Sequence, residues 1–211
     1  VGLGGVGSYA AEAVCRAGIG KLTIVDGDTV EASNRNRQLV ALCSNEEQHK
    51  AQIMADRMKD INPEVELTVI KKFQEPEEID ELLATPFDYV MDCIDSVTPK
   101  LTLLSKAFYK GYPVVSCLGA GGKLDPTQIK VSDLDDTYNC KLGTYVRKRI
   151  RRLGIRKGIK AVFSSELPDK SSLIMTDGSN YKKSAYGTIS YMPAMIGMTA
   201  ASVVIRDLME N

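Results

Sequence analysis

Asp26, Asn34, Arg37, Lys50, Asp92 and Asp95 are residue types that handle polyphosphates, and all fall in the first half of the chain. A nucleoside triphosphate carries about four negative charges, and its transfer chemistry needs cations on the phosphate oxygens and a carboxylate-held magnesium ion. Arg37 and Lys50 are candidates for the first task, Asp95 with Asp28 for the second. Taken singly, Arg37 and Lys50 also read as solvated charges, and Asp95 as the N-cap of a helix near Pro99. An NAD site asks only for glycines and one acid, so it leaves most of this set without a role.

These residues need a scaffold that brings them together. Val1-Gly2-Leu3-Gly4-Gly5-Val6-Gly7 reads as the end of a buried strand, a glycine turn and the start of a helix over Ser8–Gly18. Gly2, Gly4 and Gly7 have the spacing that lets a backbone turn tightly and approach a phosphate. The N–H groups and positive dipole end of the helix then suit an anion. The next apolar run, Lys21–Asp26, is a strand that ends in Asp26, where an acid takes a ribose hydroxyl. The chain opens directly on Val1, which points to a missing N-terminal part that includes most of the first strand.

Further elements follow in alternation. Glu46–Ile61 reads as a helix stopped by Asn62-Pro63, Val65–Ile70 as a strand, and Pro76–Leu83 as a short helix with proline in its first turn. Phe87–Cys93 is a strand, Pro99–Tyr109 a helix and Pro113–Cys117 an all-buried strand. Such alternation predicts an α/β fold with a doubly wound, mostly parallel sheet, in which ligands lie beyond the carboxyl ends of the strands. Gly2–Gly7, Asp26–Asp28 and Asp92–Asp95 are all ends of that kind and should converge. The second half is less regular. Gln128–Leu134 suits a strand open to antiparallel pairing, Leu142–Leu153 an amphipathic helix with Leu142, Val146, Ile150 and Leu153 inward, and Ser164–Tyr186 a mobile loop. Pro193–Met209 is apolar almost all round, as in a buried or interface helix.

Gly2-x-Gly4-Gly5-x-Gly7, Val25-Asp26-x-Asp28-x-Val30, Ser33-Asn34-x-x-Arg37-Gln38, Lys50 and Asp92-Cys93-x-Asp95 together resemble the ubiquitin-activating-type adenylating superfamily. It includes the molybdopterin-synthase and thiamine-pathway adenylyltransferases. The resemblance implies a Rossmann-like domain over residues 1–211 that binds ATP and magnesium as a homodimer. It implies nucleotide contacts from Gly2, Gly4, Gly5, Gly7, Asp28, Gln38 and Asp92, the ribose on Asp26, phosphates on Asn34, Arg37 and Lys50, and the metal on Asp95 with Asp28. Arg37, Lys50 and Asp95 would carry the catalysis.

Gly119-Ala120-Gly121-Gly122-Lys123-Leu124-Asp125-Pro126-Thr127-Gln128-Ile129, Asp95-Ser96-Val97-x-Pro99-Lys100 and Val162-Phe163-Ser164-Ser165-Glu166 are similar to the tRNA threonylcarbamoyladenosine dehydratase family. Its members adenylate the threonyl carboxylate of the modified adenosine, and the ureido nitrogen then closes a ring with loss of AMP. By the same resemblance, a monovalent cation and a sulfur-relay protein are candidate further partners. Ala161 stands where some relatives carry a cysteine, which argues against a thiol-dependent step. Two other functions remain open at this point: activation of the C-terminus of a ubiquitin-like sulfur carrier, and nucleotide binding without catalysis.

Composition narrows the classes. Of 211 residues, 27 are Lys or Arg and 27 Asp or Glu, so no global field draws the chain to nucleic acid. A local one exists: Lys141 to Lys160 holds nine Lys or Arg and no acid. Arg147, Lys148, Arg149, Arg151 and Arg152 would line the outer face of the Leu142–Leu153 helix, as a track for the tRNA backbone or as a solvated face. The five cysteines contain no Cys-x-x-Cys pair, which disfavours a zinc site of that type. Unpaired thiols suit the cytoplasm. Cys93 reads as packing, and His49 as a surface residue. No apolar run of membrane-spanning length and no secretory leader is visible, so no membrane partner is expected.

Overall fold

Apolar runs with β-branched residues become strands, and amphipathic runs become the helices that cover them. A computed structural model describes residues 1–175 and 184–210. Its helices are α1 (Gly7–Arg16), α2 (Lys50–Ile61), α3 (Pro76–Leu82), α4 (Val97–Tyr109), α5 (Lys141–Arg152) and α6 (Tyr191–Met209). Its strands are β1 (Lys21–Val25), β2 (Glu66–Ile70), β3 (Val90–Asp92), β4 (Val114–Cys117), β5 (Ile129–Asp133), β6 (Lys160–Ser164), β7 (Leu173–Met175) and β8 (Ser184–Tyr186).

β1 pairs in parallel with β2, while β3, β4 and β6 run parallel side by side with β5 antiparallel at the edge. Val1–Leu3 joins the two groups. The Gly2 N–H donates to Val25 O at 2.8 Å and the Cys93 N–H to Val1 O at 2.9 Å. The glycine turn therefore emerges between the carboxyl ends of β1 and β3. The expected α/β architecture with a mostly parallel sheet is the one observed.

Both faces of the sheet are covered. On one, Leu103, Leu104 and Ala107 of α4 and Val146 and Ile150 of α5 pack with Val114, Ala161 and Phe163. On the other, Met192, Ile196, Ala200, Val203 and Val204 of α6 pack with Val115, Cys117 and Val162. Each Val, Leu, Ile, Met or Phe among them contributes about 1.5–3 kcal/mol of transfer free energy. α6 also crosses the start of α1 so closely that a Cβ at Gly197 would lie 2.2 Å from Val6 O. By length and composition α6 could cross a membrane, contrary to the expectation that no apolar run is long enough, yet much of its surface is packed on this sheet.

Several boundaries move for physical reasons. The helix expected from Glu46 starts at Lys50, because the preceding residues pair instead with Val30 (Glu47 N–H to Val30 O and Val30 N–H to Gln48 O, both 2.9 Å). The strand expected from Phe87 is confined to Val90–Asp92. Leu153 is exposed rather than inward: α5 ends before it, Gly154 turns the backbone at φ +82°, and Ile155 takes the buried place. Within the stretch expected as a loop, β7 and β8 pair antiparallel. Residues 176–183 of it lie outside the described residues.

Candidate active site

The glycine turn is built by steric necessity. Gly2 has φ +86°, and a Cβ there would sit 2.9 Å from Cys93 O; at Gly7 it would fall 1.7 Å from Gly2 O. Only residues without a side chain let the turn lie this close to the end of β3. α1 begins here with no side-chain cap, so its first turn presents backbone donors and the positive end of the dipole. Ser8 ties the turn to itself, its Oγ donating to Gly4 O at 2.7 Å.

Asp26, at the end of β1, braces the same turn. Its carboxylate accepts from the Leu3 N–H at 2.5 Å and from the Asp28 N–H at 2.8 Å. Burial raises its pKa, against the pull of those two amides and of Lys50. Lys50, at the start of α2, is buried, and its Nζ donates to Asp28 Oδ2 at 3.0 Å. Leu3, Asp26, Asp28 and Lys50 thus form one connected set.

The 33–38 loop packs against the turn. A Cβ on Gly5 would meet Arg37 O at 3.2 Å and Arg37 Cγ at 3.4 Å, and one on Gly4 the Gln38 amide nitrogen at 3.6 Å. Arg37 is held by Ser33 O and Asn36 Oδ1 at 3.0 and 2.8 Å, and makes no ion pair among the described residues. The Gln38 Oε1 is buried without a hydrogen-bond partner among them. Asn34 is turned inward, its Oδ1 accepting from the Glu31 N–H at 3.2 Å, so its carboxamide closes the local 3-10 turn.

Asp92 stands apart from the expectation of nucleotide contact. It is fully buried, with Lys100 Nζ at 2.6 Å, Ser116 Oγ at 2.7 Å and the Ile94 N–H at 3.1 Å. Lys100 spends its remaining donors on Ile94 O and Cys117 O, at 2.8 and 2.9 Å. Every partner is satisfied, so the cluster shapes the loop that carries Asp95 rather than facing the crevice. Asp95 itself is exposed between β3 and α4. Lys100 enters the sequence motif without a role and Ser116 enters none; a lysine inside the apolar pattern of α4 is the signal for this pair.

The structure brings Gly2, Gly4, Gly5, Gly7, Asp26, Asp28, Arg37, Gln38 and Lys50 into one chain of contacts at the strand ends. Asp95 follows the Cys93 amide that pairs with Val1. No cluster of three or more metal-ligating side chains occurs among the described residues. Arg147, Lys148, Arg149, Arg151 and Arg152 lie elsewhere, on α5. They do not share one surface, as Arg147 is half-buried against Thr137 and Arg151 pairs with Asp135.

The chain is similar to known proteins over nearly its whole length. The model of the ThiF family matches residues 1–211. The tRNA threonylcarbamoyladenosine dehydratase of Bacillus subtilis is 34% identical, over 100% of this chain and 86% of its own length. That of Escherichia coli is 37% identical over 99% and 84%. The crystal structure of the Escherichia coli tRNA N6-threonylcarbamoyladenosine dehydratase in complex with ATP superposes with a TM-score of 0.89, covering 99% of this chain and 84% of that one.

Proposed function

The chain belongs to the ThiF family, and we propose that it is an ATP-dependent dehydratase of threonylcarbamoyladenosine in tRNA, acting through an acyl adenylate. A threonyl carboxylate oxygen attacks the α-phosphorus and pyrophosphate leaves. The ureido nitrogen then attacks the activated carbonyl, forming the ring C–N bond, giving up its proton and expelling AMP. The modified base loses one water in net terms, and the nitrogen nucleophile is part of the substrate, so no protein thiol is required.

In this reading the first turn of α1 and the Arg37 guanidinium receive the phosphates, and Lys50 adds a second cation. Asp26 holds the turn and can accept a ribose hydroxyl on its remaining lone pairs. Asp95 would hold magnesium with the triphosphate. Asp28, which the sequence pairs with it, is drawn to Lys50. When bound there, the ion would neutralise phosphate charge. The observation that carries the proposal is Arg37: a cation with no carboxylate partner among the described residues, packed on the glycine turn beside a Gln38 acceptor that none of them fills. The outer side of α6 exposes Met195 and Met198, which fits pairing of two copies of the chain. Five free thiols fit a reducing, cytoplasmic setting.

The test is mass spectrometry of tRNA nucleosides after incubation with ATP, magnesium and threonylcarbamoylated tRNA. A nucleoside lighter by one water, formed only with ATP, is the expected result. Arg37→Ala should lower its rate of formation by about a hundredfold or more, as loss of one transition-state donor does. No change in mass would overturn the dehydratase and direct attention to carboxylate activation of a carrier protein.

A further inference from the structure

The basic residues of α5 divide into two sets with different surroundings. Arg147 donates to Thr137 O and, at 3.0 Å, to Thr137 Oγ1; Arg151 Nε pairs with Asp135. Both are occupied in holding the 133–137 turn against the helix. Lys148, Arg149 and Arg152 are exposed and make no ion pair among the described residues. Tyr145 precedes these by three, four and seven positions, which sets all four side chains along one stripe of the helix. Tyr145 is 49% exposed.

The stripe has a direction. Cys140 caps the start of α5, its Sγ accepting the Gly143 N–H at 3.3 Å, and a Cβ on Gly143 would lie 2.8 Å from Leu118 Cδ1. Leu118 directly follows β4, the parallel neighbour of β3, so the start of α5 lies at the sheet edge that carries Asp92–Asp95. Lys123, buried, fixes this placement by donating to Ser164 O at 2.6 Å and Asn139 O at 3.2 Å. Tyr145 is therefore the end of the stripe nearer the adenylating crevice, and Arg152 the far end.

We propose that the stripe is the docking site for an unpaired RNA segment, with Lys148, Arg149 and Arg152 on consecutive phosphates and an unstacked base on the Tyr145 ring. The inference rests on the tRNA reading above and adds to it the residue that selects loop over duplex. Cations alone track any phosphate backbone, whereas an exposed ring rewards only a base that has left its stack. A segment held this way runs its splayed base toward the crevice where a base substituent is to be activated.

The experiment measures binding of the full chain to a fluorescent anticodon stem-loop and to a fully paired duplex of equal length, over a salt series. Tyr145→Ala should weaken stem-loop binding about tenfold with an unchanged salt slope, and leave duplex binding unchanged. Tyr145→Phe should stay within about twofold of wild type. The triple variant Lys148→Ala, Arg149→Ala, Arg152→Ala should weaken both and flatten the salt slope by about two to three. Wild-type affinity of Tyr145→Ala for the stem-loop, or equal losses on both RNAs, would overturn the proposal. So would wild-type RNA binding by the triple variant, which would assign the stripe to an acidic protein surface. Dehydration of tRNA assayed on the same samples separates the two readings. Intact dehydration with unaltered Tyr145→Ala binding removes the stripe alone; the expected binding pattern without dehydration removes the enzyme assignment and keeps the stripe.

Discussion

Lys100 and Asp92 meet at 2.6 Å with neither side chain exposed, whereas Lys50 and Asp28 meet at 3.0 Å with the lysine 5% and the aspartate 52% exposed. Both pairs stand at the carboxyl edge of the sheet, and both join a strand end to a helix. The first is closed: each donor of Lys100 and both oxygens of Asp92 have protein partners. The second is open on the aspartate side and is linked through Asp26 and the glycine turn to Arg37, which has no carboxylate partner among the described residues. Identical residue types thus serve two ends. A sealed pair sets where a loop goes; a half-open pair can exchange its partner for a ligand.

The largest expected effect follows from the sealed pair. Lys100→Met leaves a carboxylate buried without its countercharge, and should destabilise the fold by about 3–5 kcal/mol in urea unfolding. Lys50→Met leaves an aspartate that water already reaches, so its cost should be about 1 kcal/mol or less, while ATP-dependent turnover falls by about a hundredfold or more. Equal destabilisation by the two changes would erase the distinction between positioning and available charge.

A smaller effect sharpens the same contrast at Asp26. Burial raises its folded pKa above the unfolded value, so the folded state holds this proton more tightly than the unfolded state does. Stability from this group is then greatest below the unfolded pKa and declines as pH rises toward the raised folded value. In paired thermal melts, wild type should lose stability relative to Asp26→Asn as pH increases across that window. A difference independent of pH would mean that Asp26 titrates as an ordinary exposed carboxyl.

Much of this was legible in the sequence where the cause is local. The glycine turn, the strand ending in Asp26 and the buried strand before Gly119 follow from spacing and short-range patterning. Asp92 was not legible in the same way, because what seals it comes from Lys100 on α4 and Ser116 on β4. Nothing near Asp92 in sequence distinguishes it from Asp95, which stays exposed. The start of α2 shifted because residues 46–49 find backbone partners around Val30, a pairing that helical periodicity does not report. β6 escaped the sequence reading as a strand, since it emerges from the basic segment after only a few apolar residues. The division of the α5 cations depends likewise on Thr137 and Asp135, which a helical wheel of α5 alone leaves out.

In the proposed function the strand-end crevice joins a carboxylate to the α-phosphorus of ATP. Threonylcarbamoylated tRNA labelled with oxygen-18 in the threonyl carboxylate tests it directly, with mass analysis of the released nucleotide. Adenylation predicts AMP carrying one labelled oxygen from the substrate and unlabelled pyrophosphate. Release of ADP, or of AMP without the label while the base still loses water, would contradict the mechanism.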